Sequence, residues 1–284
     1  MRPLKPSELP AHADLAQLQT SDTTPDLHGF ITEVLAEANT FMTEYLPNNF
    51  TVKSESKSAS PSKATVKLFE KTIPASEIPH SSVTESETWF ARTSIHDNKR
   101  ESGTATWDEF EGGLLDDHSQ HEMDYTPDVY DAYKVLTWDG SISPIQGWDK
   151  VGLSIYEMAH KIPPPLNNRV FSVVIITARS IASPRQFLVV QIPVDISIVK
   201  EALYSNGRNK VDGDDATKRK TVEMGQYVSI ERGELIDDGA KVIWQMGTAS
   251  DARGVLPMWV QKMAVPGTIV KDVSLFIDWI QKRR

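Results

Sequence analysis

The sequence contains no cysteine. This absence excludes disulfide bonds, thiolate zinc sites and cysteine nucleophiles. A long hydrophobic segment is also lacking: the longest apolar run, VFSVVIITA from Val170, is far too short to span a bilayer, and the first residues contain no apolar signal-peptide core. We therefore expect a cytoplasmic protein without an integral membrane segment.

Positive charge is scarce, because 30 Lys and Arg residues face 39 Asp and Glu residues and give a formal net charge of -9. Nucleic-acid surfaces need clustered positive charge, and the one basic cluster, TKRK, follows the acidic stretch DGDD directly. No P-loop, GxGxxG motif or EF-hand loop is present, and the order of residues in HSQHE is not that of a zincin. The sequence predicts no nucleic-acid partner, no cofactor, no metal and no obligate protein partner.

Hydrophobic periodicity predicts the helices and strands. Apolar residues recur at helical spacing from Phe30 to Tyr45, after a Thr or Asp that can cap the helix. Helical patterns are also read in TATWDEFEGGLLDDHSQHEMDY and GWDKVGLSIYEMAHKI, whereas the Ser-rich stretch 53–63 indicates a mobile loop. Strand patterns occur in ATVKLFEKTI, TWFARTSIH, YKVLTWD, RVFSVVIITAR, RQFLVVQIPV, KTVEMGQYVSIER and AKVIWQMGTA.

Short connections between these strands predict one antiparallel sheet in an α+β fold. Apolar and polar residues alternate in the last two strands, so we expect the sheet to be covered on one face. The four prolines of residues 1–25 predict a flexible N-terminal segment, and residues 26–284 are assigned to a single domain.

The chain ends in a helical pattern over residues 257–283 that can cover the apolar face of the sheet. Its apolar or ring residues lie at steps of three and four, and Pro266 is expected to bend the helix. The residues of this stripe are Trp259, Met263, Pro266, Val270, Val273, Ile277 and Ile280.

Several segments carry a resemblance to a known family. They are TWFARTSIHDNKRESGTATWDEF, HSQHEMDYTPDVYDAYKVLTWD, YEMAHKIPPPLNNRVF and the C-terminal DARGVLPMWVQKMAVPGTIVKDVSLFIDWIQKRR. Together they resemble a fungal START-like domain family of unknown function within the helix-grip (Bet v 1-like) superfamily. The resemblance implies a curved antiparallel sheet around the C-terminal helix, with an internal hydrophobic cavity that holds a lipid, sterol or polyketide.

The expected wall of this cavity consists of large or flexible apolar side chains on the sheet and on the C-terminal helix, which either bind a ligand or fill a core. These candidate ligand-binding residues are Trp138, Met224, Val228, Trp244, Met246, Trp259, Met263 and Val270. Gln226 shares the expected inner face with Met224, where its amide either bonds to neighbouring backbone or orients a ligand.

Three charged or titratable residues are candidates for catalysis together with Gln226. Arg92 and His96 share one face of a strand. If this face points inward, they form a cation and a base suited to enolising a poly-carbonyl chain; if it points outward, they are surface residues or pair with a carboxylate. Arg179, at a strand end, either anchors a ligand carboxylate or is solvated.

Two functions follow as hypotheses. The first is a cavity protein that binds an elongated hydrophobic small molecule between the sheet and the C-terminal helix. The second is a cofactor-independent polyketide cyclase or lactonase of fungal secondary metabolism, which folds a poly-carbonyl chain in the same cavity. The sequence does not decide whether the protein is an enzyme, because proximity alone can supply much of the acceleration of such a reaction.

Overall fold

The computed structural model describes residues 2–20, 22, 24–78, 86–138, 142, 144–145, 147–182, 185–208, 222–251 and 258–284, the side chains of 258–263 excepted. The helices are α1 (Leu27–Thr40), α2 (Leu46–Asn49), α3 (Trp107–Leu114), α4 (His118–Tyr125) and α5 (Met258–Lys282). The strands are β1 (Thr51–Ser58), β2 (Thr65–Ile73), β3 (Glu87–Asp97), β4 (Val129–Thr137), β5 (Trp148–His160), β6 (Arg169–Ser180), β7 (Gln186–Pro193), β8 (Glu223–Ile236) and β9 (Lys241–Asp251).

All nine strands form one curved sheet in the order β1-β2-β3-β9-β8-β7-β6-β5-β4. Neighbouring strands run antiparallel, and the beginnings of β6 and β8 add a short parallel contact. β3 pairs with β9 although some 150 residues separate them along the chain, for example Arg92 with Met246. The prediction of an α+β fold with an antiparallel sheet is therefore confirmed.

Both faces of the sheet are covered, which corrects the expectation of a one-sided sheet. The outer face packs against α1 and the N-terminal segment and includes Ile176, Ile230 and Ala249. The inner face packs against α3, α4 and α5 and includes Trp244 and Met246. Apolar residues are therefore needed on both sides of the central strands, and polar alternation does not identify the solvent side.

The outer layer begins with a segment that the sequence assigned to a flexible lead-in. Leu9 and Leu15 are fully buried in the outer core, and Leu4 forms a bridge with Val194 after β7. Residues 2–20 thus pack on the sheet, because their leucines fill the space beside α1. The helix itself begins as predicted, with the Asp26 side chain accepting a hydrogen bond from the Gly29 backbone N–H.

Two secondary-structure predictions are wrong. Residues 148–160 form strand β5 instead of a helix, since Leu153 and Ile155 pack on the outer face and Tyr156 and Met158 on the inner face. Residues buried on both faces produce a nearly continuous apolar run that resembles a helix in sequence. The Ser-rich stretch begins with the exposed edge strand β1 instead of a loop.

The C-terminal helix lies on the inner face, as predicted. α5 runs without interruption through Pro266 and contacts β2, β3 and α4. Val273, Ile277 and Ile280 of the predicted stripe are buried, together with Ile269 and Phe276. Among the described residues, none of the helices combines the length and the hydrophobicity that a bilayer crossing requires.

Candidate ligand site

The inner face of β8 carries polar side chains. Because Val228 and Ile230 pack on the outer face, the alternation of the strand turns Tyr227, Ser229 and Glu231 toward α5. Glu231 is buried, and its Oε2 accepts a hydrogen bond of 2.7 Å from Trp244 Nε1 on β9. A buried carboxylate is therefore built into the inner wall, where the sequence predicted apolar residues.

Arg92 lies at the centre of this wall and is 1% exposed. Its guanidinium stacks 3.8 Å from the centre of the Trp244 ring, and its Nη2 lies 3.7 Å from Glu231 Oε2. Among the described residues, Nε and Nη1 have no hydrogen-bond partner. Of the two alternatives left open by the sequence, Arg92 points inward and is ion-paired, and two of its nitrogen atoms keep their N–H groups without an acceptor.

His96 also points inward and is buried against Phe110, with ring centres 4.9 Å apart. Its Nε2 lies 2.8 Å from Ser94 Oγ, and its Nδ1 has no hydrogen-bond partner. Burial, and secondarily the charge of Arg92, lowers the pKa of His96 to about 3. The imidazole is therefore neutral at physiological pH and a poor general base.

A second group of polar side chains lies where α4, α5 and β8 meet; we call Glu122, Asp272 and Tyr227 the acidic recess. The Glu122 side chain is 22% exposed, yet burial, followed by the charges of Glu231 and Asp272, raises its pKa to about 8. Burial also raises the pKa of Asp272 to about 7, against the opposing charge of Arg92. Burial among protein atoms is therefore the main cause of both shifts.

His118 fixes α4 beside this recess. Its Nδ1 is 2.7 Å from the Leu114 carbonyl oxygen, which places the ring proton there and leaves Nε2 to accept a 3.2 Å hydrogen bond from Gln191 of β7. Burial lowers the pKa of His118, so the ring is neutral. Glu122 lies one turn further along α4, with Oε2 3.8 Å from His118 Nε2.

Arg179 occupies a different place, at the end of β6, and is 27% exposed. Its guanidinium forms two hydrogen bonds with Asp149, of 2.7 and 2.6 Å, and one of 2.9 Å with Glu111. The hydrogen bonds with Asp149, more than that with Glu111, raise the pKa of Arg179 further above its ordinary value. Arg179 thus joins α3 to the sheet and is occupied by protein carboxylates.

Four predicted residues do not face α5. Met224, Gln226 and Val228 lie on the outer face of β8, since they alternate with Tyr227. Trp138 packs on the same outer side, where its Nε1 donates a hydrogen bond of 2.9 Å to the Ala11 carbonyl oxygen. The error arose because the more apolar face of β8 was assigned to the helix.

The remaining candidates divide into two groups. Trp244 and Met246 are buried on the inner face, and Val270 packs beside them on α5. The side chains of Trp259 and Met263 lie outside the described residues. Sequence reasoning missed Glu122, Asp272, Tyr227 and Glu231, although the polar positions of β8 and the acid at position 272 within an apolar helix were visible signals.

The fold can be compared with solved structures. Human StAR-related lipid transfer protein 5 is similar with a TM-score of 0.53 and 11% identity, over 90% of this chain and 97% of that chain. Human STARD10 gives a TM-score of 0.46 at 12% identity, over 86% and 82%. The STAR-related lipid transfer protein of Xanthomonas axonopodis gives 0.47 at 12% identity, over 82% and 99%.

The likeness to human StAR-related lipid transfer protein 5, at 11% identity, shows the fold alone, and it confirms the START-like helix-grip fold expected from the sequence. A search of curated protein sequences gave no match. The profile of a family described as "Protein of unknown function (DUF3074)" matches residues 89–280, which run from β3 into the last turns of α5 and make up more than half of the chain. The chain therefore belongs to the DUF3074 family.

Proposed function

We propose that this protein binds one elongated hydrophobic small molecule, lipid-like or polyketide-like, between the inner face of its sheet and α5. The observation that carries the proposal is the buried guanidinium of Arg92, which stacks on Trp244 beneath α5 and whose Nε and Nη1 have no hydrogen-bond partner among the described residues. A molecule bound between the sheet and α5 can supply the missing acceptors. The similarity in fold to a protein named for lipid transfer supports the same proposal.

The walls of this space have the composition of a ligand pocket. Apolar and aromatic side chains predominate, and a few polar groups are placed among them. The inner-face cluster on β9, α4 and α5 includes the apolar side chains of Met123, Tyr125, Trp244, Met246, Ile269 and Val270. We infer that the chain of the ligand lies against these residues.

The catalytic alternative has less support. Its four candidate residues are dispersed: Arg92 and His96 lie in the inner wall, Arg179 is held by two carboxylates at the end of β6, and Gln226 is on the outer face. His96 is also too weakly basic to accept a proton near neutral pH. Binding without chemistry requires only the enclosed space.

Native mass spectrometry of the purified protein tests the proposal. We expect a bound small molecule of lipid size, and a Val270→Phe substitution should reduce its occupancy because the larger ring fills space beside the recess. Ile181→Phe is the matched control, because Ile181 is exposed and distant from the inner face. A ligand-free protein that also fails to bind the hydrophobic dye Nile red would overturn the proposal.

A further inference from the structure

Around Arg92, the inner wall has an excess of hydrogen-bond donors over acceptors among the described residues. Arg92 is 1% exposed, and neither its Nε nor its Nη1 meets an acceptor. The nearby carboxylate of Glu231 does not remove this excess, because its Oε2 is 3.7 Å from Arg92 Nη2 and already accepts the Trp244 indole proton. A buried guanidinium without acceptors is energetically unfavourable unless another molecule supplies them.

Arg92 and the acidic recess belong to the same interior. Arg92 stacks on Trp244, whose ring centre lies 5.1 Å from that of Phe276 on α5, so the guanidinium lies on the side of the sheet that α5 covers. Tyr227 and Glu231 lie on the same inner face of β8. Arg92 and the acidic recess are therefore on the same side of the sheet.

We propose that the ligand is an otherwise apolar chain bearing carbonyl or carboxyl oxygens, which accept hydrogen bonds from Arg92 and Glu122. This inference rests on the proposed function, since it names the chemistry of the ligand bound in that space. A ligand that brings only acceptors matches a wall that offers unpaired donors. An ammonium group meets the guanidinium of Arg92 with the same charge and is disfavoured.

The protonation of the recess agrees with this assignment. Burial raises the pKa of Glu122 to about 8 and that of Asp272 to about 7, so at neutral pH Glu122 is mostly a carboxylic acid that can donate a proton in a hydrogen bond. Burial also raises the pKa of the Tyr227 hydroxyl, which stays protonated. Glu122 and Tyr227 therefore donate hydrogen bonds at neutral pH, in addition to Arg92.

The same groups predict how binding changes with pH. The charged or titratable side chains facing the two acids are Arg92 on β3, Tyr227 and Glu231 on β8, His118, His121 and Tyr125 on α4, and Lys271 on α5. As the pH rises past the pKa of Glu122, its donor is lost and a carboxylate replaces it. A neutral ketone ligand, which does not titrate, should then bind less well.

A matched series of long-chain molecules tests the proposal by displacement of Nile red from the full chain. The series is palmitic acid, methyl tetradecyl ketone, hexadecylamine and hexadecane, which share chain length and differ at one end. At pH 7 we expect the acid and the ketone to compete at concentrations about tenfold lower than the amine and the hydrocarbon. Equal competition by all four would overturn this inference and leave the proposed function standing.

Failure of every molecule in the series to compete would instead count against the proposed function. Tighter binding of hexadecylamine would show that the recess selects cations, and would also overturn the inference. The two proposals can therefore fail separately.

Two variants locate the effect. Arg92→Met should remove the preference for the acid and the ketone, whereas the control Arg179→Met should keep it, because Arg179 is held at the end of β6 by Asp149 and Glu111. If Arg92→Met does not fold because Glu231 is left unpaired, the double variant Arg92→Met with Glu231→Gln removes both charges. A preserved preference in the folded variant would contradict the proposal.

Glu122→Gln gives the second readout. A glutamine amide donates at every pH, so the variant should keep its affinity for the ketone between pH 7 and 9, while the wild-type protein loses affinity. Parallel loss of ketone affinity in both proteins would contradict the role of Glu122 as a donor.

Discussion

Glu122→Gln also makes a prediction about stability that does not depend on any ligand. The folded protein keeps the Glu122 carboxyl protonated up to a pKa of about 8, whereas in the unfolded chain its ordinary pKa is near 4.5. Between these values the folded state binds one proton more than the unfolded state, so the free energy of unfolding falls as the pH rises. The fall is at most about 1.4 kcal/mol per pH unit for one group.

The magnitude follows from the part of this range that is measured. From pH 6.5 to 8.5 the wild-type protein should lose about 2 kcal/mol relative to Glu122→Gln, because the amide does not titrate. Comparing the two proteins cancels the contributions of groups that do not interact with Glu122. The range begins at the ordinary pKa of histidine, and the pKa values of buried His96 and His118 lie below it.

Urea unfolding followed by tryptophan fluorescence measures the free energy at each pH. Asp124→Asn is the control, since Asp124 lies on the same helix but is exposed and pairs with Arg283 at the surface. Free energies of wild type and Glu122→Gln that stay parallel from pH 6.5 to 8.5 would refute the assignment of Glu122 to a desolvated recess.

Further predictions concern the contacts around the site. Gly112→Ala should stabilise the protein by about 0.5 to 1 kcal/mol, because the added methyl group in α3 would be in ordinary contact, at 4.0 Å, with the Asp116 side chain. Gly113→Ala should destabilise the protein by about 1 to 3 kcal/mol, because the methyl group would lie 2.7 Å from the Phe276 ring of α5. Urea unfolding checks both predictions, since the changes in the free energy of unfolding should have opposite signs. Arg179→Ala should lower the unfolding midpoint, because Arg179 forms hydrogen bonds with Asp149. Nile red binding should be unchanged, and its loss would contradict the placement of Arg179 outside the ligand site.

The fold could be predicted from the sequence where a residue pattern has one dominant cause. The capping Asp26 and the spacing of Ile31, Leu35 and Ala38 fixed α1, and the repeat of Val273, Ile277 and Ile280 fixed the packed face of α5. The strands were also identified, except the exposed edge strand β1 and the strand β5, which is buried on both faces. In β5 the apolar residues follow each other without a clear period, and this hid the strand.

The site was harder to predict because it depends on which side of a strand faces α5. Because both faces of the sheet are buried, the more apolar face of β8 can lie on either side. The sequence around Val228 does not show whether this residue packs on the outer face or against α5. The polar positions, Tyr227 and Glu231, then take the inner wall. Arg92 was identified because it shares one face of its strand with His96, whereas Glu122 resembles an ordinary surface acid of an amphipathic helix.

The polar inner wall and the recess have a common physical origin. In a sheet covered on both faces, some polar residues of β8 are buried. Glu231 is one of them, and its carboxylate accepts a hydrogen bond from Trp244 and pairs with Arg92. Arg92 is in turn only partly compensated, because two of its N–H groups meet no acceptor. A fully apolar core of the same shape would be more stable, since a buried ion pair with imperfect geometry rarely offsets its desolvation. The excess of donors beside the accessible Glu122 is therefore better explained by recognition of a ligand than by stability of the fold.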